Sequence, residues 1–231
     1  MKCILKAEPR LSECRIRLES NSYSDSMPLV REIILRRQQP KTNTHAFGLA
    51  CAALIADYCG DFLEIPHLML GCDQVEAIRV LCNRPVNVAP FNGEIRALAT
   101  HDLELVAGEA GKLNGPTEVK ASGAGVPVAR VDWFGDFVDA HSRSSANSQI
   151  GMYYTNAHLV TEPDFVSVAV ALLHGGDNVG RIVVPVAGTI TEKHQRFVAA
   201  LRIVAIDLEW LEMPSSRASK APASKSRQRA A

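Results

Sequence analysis

The chain reads as an α/β protein: a layered, mixed sheet with helices on its faces. Three observations predict this. Strand-like runs alternate with helix-like runs along most of the 231 residues. One predicted helix, from His45 to Cys59, is apolar on nearly every side, so it belongs at the centre of a core. The middle of the chain breaks into short strand-like pieces with turn residues between them, which makes the sheet mixed.

The elements follow in order. Glu13 to Glu19 alternates apolar and polar residues, the pattern of a half-buried strand. Leu29, Val30, Ile33 and Ile34 recur at helical spacing, which predicts a helix over Pro28 to Arg37 capped by Ser26. Residues 38–44 form a loop. The apolar helix then runs from His45 to Cys59, and Gly60 supplies a left-handed stop. Phe62 to Leu70 reads as a short buried strand interrupted by Pro66. Asp73 and Glu76 have capping-box spacing and open a helix to about Arg84, ended by Pro85.

Val86 to Gly108 holds three strand-like pieces: Val86 to Ala89, Ile95 to Ala99, and Leu103 to Ala107. Asn92-Gly93 is a hairpin-type turn between the first two. Gly108 to Gly125 is a surface connection with a short strand at Thr117 to Ala121. Val126 to Val131 and Gly151 to Tyr154 read as strands, with a helix over Phe134 to Ala140 and a polar loop over His141 to Gln149 between them.

Thr161 to Asp164, with Pro163 in an early helical position, opens a helix to His174 that stops at Gly175-Gly176. Arg181 to Ala187 is a buried strand. Thr191 caps a long last helix, whose seam is Phe197, Leu201, Val204, Leu208 and Leu211. Residues 1–213 thus form one α/β domain. Residues 214–231 have no core formers and five positive charges, and read as a disordered basic tail. No internal repeat stands out in the residues.

Composition excludes several function classes. Lys plus Arg balances Asp plus Glu at 25 each, so no global charge excess marks a nucleic-acid or membrane surface. No apolar run is long enough to span a bilayer. The first residues are too charged for a secretory signal. Six cysteines without a CxxC pair read as reduced thiols, which places the protein in the cytoplasm. His67, Cys72 and Cys82 fit no common structural zinc spacing. No P-loop, GxGxxG, GxSxG or HExxH occurs, so no cofactor is implied.

Cys51 is the leading candidate for chemistry. Small residues surround it in sequence: Ala50, Ala52 and Ala53. A cysteine at a helix N-terminus feels the positive end of the peptide dipoles, which activates the thiol. With a helix starting after Thr44, Cys51 lies about two turns in, where the effect fades. With a start nearer Gly48 it sits at the N-terminus. The other reading of Cys51 is a small buried residue in a tightly packed helix.

The run from Ala46 through Cys51 to Asp57, followed by Leu68-Met-Leu-Gly-Cys-Asp73, resembles the nucleophile segment of the thiolase superfamily, and is most similar to β-ketoacyl-acyl-carrier-protein synthase III. The Pro28 helix and the turn Phe91-Asn-Gly-Glu94 fit as well, so the resemblance covers about residues 28–108. It implies a divergent or trimmed version of a duplicated fold. It also implies an acyl-accepting Cys51, and acyl-CoA or an acyl carrier protein as partner. The family's second-half His-Gln-Ala-Asn pattern is replaced here by His194-Gln-Arg-Phe197, and no asparagine loop follows. His194 and His174 are therefore both candidates for the assisting histidine.

Asp132, Asp136, Asp139 and His141 form a second cluster, suited to a divalent metal or to a solvated acidic face. The stretch His174 to Gly180 is a Gly-rich turn in which Asp177 and Asn178 are candidates to line a pocket.

Three functions follow. The first is an acyl-thioester-handling protein, an acyltransferase, with Cys51 as nucleophile. The second is a non-catalytic α/β interaction or assembly protein, using its last helix and tail to bind a second copy or a protein partner. The third is a metal-dependent small-molecule enzyme.

Overall fold

The computed structural model describes residues 1–8, 13–21, 23, 25–36, 40–42, 44–66, 68–93, 103–110, 128–135 and 150–213. Ten strands are present among them: β1 (Lys2–Glu8), β2 (Glu13–Glu19), β3 (Glu32–Arg36), β4 (Phe62–Glu64), β5 (Asn87–Ala89), β6 (Leu103–Glu109), β7 (Val128–Phe134), β8 (Ile150–Thr155), β9 (Val179–Val186) and β10 (Asp207–Glu212). Four α-helices join them: α1 (His45–Ile55), α2 (Cys72–Cys82), α3 (Pro163–Gly175) and α4 (Glu192–Ile203). The strands form one mixed sheet in the order β10-β9-β6-β7-β8-β3-β2-β1-β4-β5.

The order contains a repeat. Outward from the β3–β8 seam, one half runs third strand, second, first, fourth, fifth, and so does the other. In each half a helix leads from the third strand to the fourth, and another from the fourth to the fifth. The halves differ at the second strand. β2 is antiparallel to both its neighbours, whereas β7 is parallel to both of its own.

That difference is visible in burial. β2 alternates buried and more exposed residues, because its outer face meets water. Arg15, Glu13, Arg36 and Glu32 form an ion-pair ladder across β2 and β3. β6 has five consecutive buried residues, Glu104 to Gly108, as a strand covered on both faces does.

The sheet is curled. A flat ten-stranded sheet would hold its edges about 43 Å apart. Yet α2, beside edge strand β5, packs against α4, beside edge strand β10. α1 packs on α3 in the same way. The two halves of the sheet therefore close around a shared helical core. α1 sits inside it, buried at every residue after His45.

Several expectations are corrected. The segment from Pro28 to Arg37 contains strand β3, not a helix. Ile33 and Leu35 are buried while Glu32, Ile34 and Arg36 are half-exposed, a period of two that suits β-branched isoleucines. β1, which the sequence reading left out, pairs with β2 along its whole length. α1 ends at Ile55, and Gly60 is not left-handed; its N–H instead donates to Asp25 (2.8 Å). The strand expected over Phe62 to Leu70 is only Phe62–Glu64.

α2 starts two residues earlier than a cap at Asp73 predicts. Its N-cap is Gly71, whose N–H donates to Gln74 Oε1 (3.0 Å), so the capping interaction is not that of Asp73 with Glu76. α2 stops at left-handed Asn83, two residues before Pro85. β5 pairs in parallel with β4, and Ile95 to Ala99, the second arm of the expected hairpin, lies outside the described residues. Phe134 ends β7 and does not start a helix.

The largest correction is the last helix. α4 ends at Ile203, and Ala205 takes a φ of 60°. Leu208 and Leu211 then lie on strand β10, parallel to β9. The pieces at Ile95 to Ala99, Thr117 to Ala121 and His141 to Gln149, most of the Phe134 to Ala140 helix, and residues 214–231 lie outside the described residues.

Candidate functional site at the N-terminus of α1

α1 begins at His45, so Cys51 is its seventh residue and not its first. The thiol is 1% exposed. It faces Cys3 of β1, with Cys14 of β2 nearby, and burial together with these neighbours pushes its pKa well up. Cys14 is itself pushed up to about 12 by burial. The dipole activation weighed from the sequence is absent this far into the helix.

His174 is near the C-terminus of α3. Its Nδ1 lies 3.4 Å from Tyr153 Oη, and its ring meets that of Tyr153 edge-on. The ring lies over Gly151, where a Cβ would come within 2.7 Å of Cε1. Burial, and then the charge of Lys41, hold its pKa down. Tyr153 is pushed up by burial and by Cys14. Cys51 and His174 thus border one buried cluster through Cys14 and Tyr153.

His194 belongs elsewhere. Its Nδ1 accepts a hydrogen bond from Thr191 N (3.1 Å) and lies 2.7 Å from Thr191 Oγ1. Its Nε2 lies 3.3 Å from Asp164 Oδ2. The ring packs against Phe165 and edge-on to Trp210, whose indole N–H donates to the His194 carbonyl. This arrangement closes the first turn of α4 onto α3.

Of the acidic cluster, Asp132 lies on β7 and accepts from Arg130 (2.7 Å), while Asp136, Asp139 and His141 lie outside the described residues. Cys72 is exposed near the Gly93 carbonyl, Cys82 is buried beside Cys59, and His67 is outside the described residues. Among the described residues no three metal-ligating side chains come together.

One convergence of polar groups on a cavity lies at the start of α1. Lys41 reaches the C-terminus of α3, where its N–H donates to the Leu173 carbonyl (2.8 Å) and its Nζ to that of Gly175 (2.9 Å). Gly176 then takes a φ of +61°. The following residue, Asp177, turns onto α1, accepts from Ala46 N (2.9 Å) and lies 3.4 Å from His45 Nδ1. A carboxylate at a helix N-terminus satisfies an orphan N–H and the dipole together.

Beneath this pair is a cavity of about 20 Å³, lined by His45, Ala46, Leu49, Gln74, Asp177, Val204 and Ile206. Asp177 therefore lines a pocket, as its Gly-rich turn suggested; Asn178 does not belong to the lining.

His45 and Gln74 were missed. Gln74 had a readable signal. Gln74, Ala77, Ile78 and Leu81 make an i, i+3, i+4, i+7 stripe, and a glutamine heading an apolar stripe is out of place unless it has polar company. His45 had only its position after Thr44. No protein-family description, curated protein or solved structure matches the chain.

Proposed function

We propose that the chain is a non-catalytic α/β module that assembles through the open edge of its sheet, with a second copy as partner. The burial of Cys51 carries this reading. A protonated thiol packed among thiols in mid-helix serves as filling, and the strongest catalytic candidate then becomes part of the core.

The open edge is β10. Among the described residues it pairs with β9 on one side and with no strand on the other. A free backbone row invites another strand. Beside it runs a groove of about 400 Å³ lined in part by Ile190, Val198, Leu208 and Trp210. An antiparallel copy centred on Trp210 places Trp210 across from Trp210, Glu209 across from Leu211, and Leu208 across from Glu212. No carboxylate then faces a carboxylate.

Sedimentation velocity over a wide concentration range tests this reading. A concentration-dependent dimer is expected. Leu211→Glu sets a carboxylate opposite Glu209 and should weaken the dimer about tenfold, while Leu211→Lys should preserve it. A monomer at every concentration overturns the proposal.

The acyl-thioester reading stands second. Two observations favour it: the repeated strand order, in keeping with the duplicated fold that the resemblance implies, and the shared neighbourhood of Cys51 and His174. Intact mass after incubation with acyl-CoA thioesters decides it. A gain of one acyl group, absent in Cys51→Ala, would put this reading first.

A further inference from the structure

We infer that Cys59 and Cys82 form a modification site, a thiol pair that a small hydroperoxide converts to a disulfide between the turn after α1 and the end of α2. The inference is independent of edge pairing by β10 and of any role for Cys51. It rests on the contact between the two thiols and on where they lie in the core.

Cys59 sits in the turn that leads from α1 to β4, where its N–H donates to the Ile55 carbonyl (3.0 Å). Cys82 is the last residue of α2. α1 packs on α2, and the two side chains meet in a hydrogen bond. The Cys59 sulfur also lies 3.8 Å from the Phe62 carbonyl. Both thiols are free. A disulfide needs two side chains that converge, and thiols already in contact meet that need.

A second thiol pair shows why this one is chosen. Cys3 and Cys51 also share a hydrogen bond, but burial and the neighbouring thiols push the pKa of Cys51 well up. A thiol held protonated is a poor nucleophile. Cys59 is the opposite case. The hydrogen bond from Cys82 favours its thiolate and burial opposes it. The Met1 ammonium and Arg84 then add positive charge, Asp25 adds negative, and the net shift is downward. Cys82 is pushed up, first by that hydrogen bond and then by burial. One thiol is the attacking group, and its protonated neighbour is the resolving one.

Burial selects the oxidant. Cys59 and Cys82 are 0% and 4% exposed, so a bulky disulfide cannot align with either sulfur. They nevertheless lie close to the surface, since Asp57, Asp61, Asn83 and Arg84 are exposed. A molecule of peroxide size reaches them through a fluctuation too small to admit glutathione or a maleimide.

The Cys59 thiolate attacks one oxygen of the hydroperoxide. The O–O bond breaks, the other oxygen leaves with the electron pair and takes up the proton that Cys59 released, and Cys59 becomes a sulfenic acid. Cys82 then attacks the Cys59 sulfur. The S–S bond forms, the S–O bond breaks, and water leaves with the Cys82 proton. The two sulfurs lose two electrons and the peroxide gains them.

Hydrogen peroxide is the probe, with oxidised glutathione as the bulky comparison. Reduced full-length protein is treated under native conditions, quenched with catalase, unfolded in N-ethylmaleimide and mapped by peptide mass. Peroxide should join the peptides of Cys59 and Cys82 and leave Cys3, Cys14 and Cys51 open to maleimide. The joined protein should unfold at a higher urea midpoint than the reduced one, because the bond closes a loop in the unfolded chain. In Cys82→Ala the sulfenic acid at Cys59 has no resolving partner, and dimedone should trap it. Oxidised glutathione should modify Cys72 alone.

The bond is read in the unsubstituted chain, so the test does not depend on a variant folding. The inference is overturned if Cys59 and Cys82 stay open to maleimide at a peroxide dose that oxidises Cys72, or if peroxide joins Cys3 to Cys51 instead. It is equally overturned if oxidised glutathione forms the bond as fast as peroxide does.

Discussion

His174 shows how a single environment can reverse the role a residue suggests. In sequence it closes a helix before two glycines, an assisting base in waiting. In the fold its ring is packed over Gly151 and against Tyr153, with Lys41 close enough to disfavour a second positive charge. Its pKa is therefore below the usual 6.5. The unfolded chain binds a proton at this residue near that ordinary value, and the folded chain binds it only at lower pH. Stability from His174 is thus complete above about pH 6.5 and declines as the pH falls below it.

Urea unfolding should show this as a fall in midpoint between about pH 7.5 and 5.5, with a slope from this residue of at most about 1.4 kcal/mol per pH unit. His174→Gln should flatten that part of the profile. An unchanged profile would mean the ring is solvated. Glu13 acts in a lower range. Burial raises its pKa, the hydrogen bonds from Arg36 and Arg15 outweigh burial, and the net shift is downward. Its contribution is lost only as acid protonates it below the ordinary carboxylate range.

At the scale of elements, the end of α4 decides how the sheet is completed. The apolar spacing from Phe197 to Leu211 continues a helical seam without a break. What stops the helix is the turn after Ile203. The N–H groups of Val204, Ala205 and Ile206 return to the carbonyls of Leu201, Arg202 and Leu201, and Ala205 takes a left-handed conformation. An alanine there carries a steric cost that glycine does not. Ala205→Gly should therefore stabilise the protein by about 0.5 to 1 kcal/mol, net of the extra freedom glycine gives the unfolded chain. Denaturant unfolding measures it. Destabilisation would mean that the turn is held by its contacts and not limited by its backbone.

The same scale explains β3. Leu29, Val30, Ile33 and Ile34 match a helix by spacing, but Ile33, Ile34 and Leu35 also match a strand. Pairing with β2 on one side and β8 on the other settles the choice. Short apolar runs satisfy both periods, and their partners decide.

For the whole molecule, the curled sheet encloses its thiols. Cys3, Cys14, Cys51, Cys59 and Cys82 are buried, and Cys72 is exposed. They belong to α1, α2, β1 and β2 or to the turn after α1, and these elements are held in one core. Exposing the buried thiols requires opening that core. Thiol labelling of the native protein should therefore show one fast site, lost in Cys72→Ser, and five slow ones whose rates rise together with denaturant. Fast labelling at Cys51 would instead reveal local access to the helical core.

The sequence by itself determined the α/β class, the centrality of the apolar helix at His45, and the strands at Glu13 to Glu19, Leu103 to Ala107, Gly151 to Tyr154 and Arg181 to Ala187. These follow from local periodicity and burial, which each segment carries in its own residues. It also marked Asp177 as a residue for a pocket, because a Gly-rich turn frees a polar side chain to point inward. Only the tertiary structure decided the repeated strand order, the ends of α1 and α4, and the meeting of His45, Asp177 and Gln74. Each of these depends on contacts between segments far apart in the chain. The two halves share an arrangement of strands but no visible pattern of residues, since a topology can be kept by many different packings of apolar side chains.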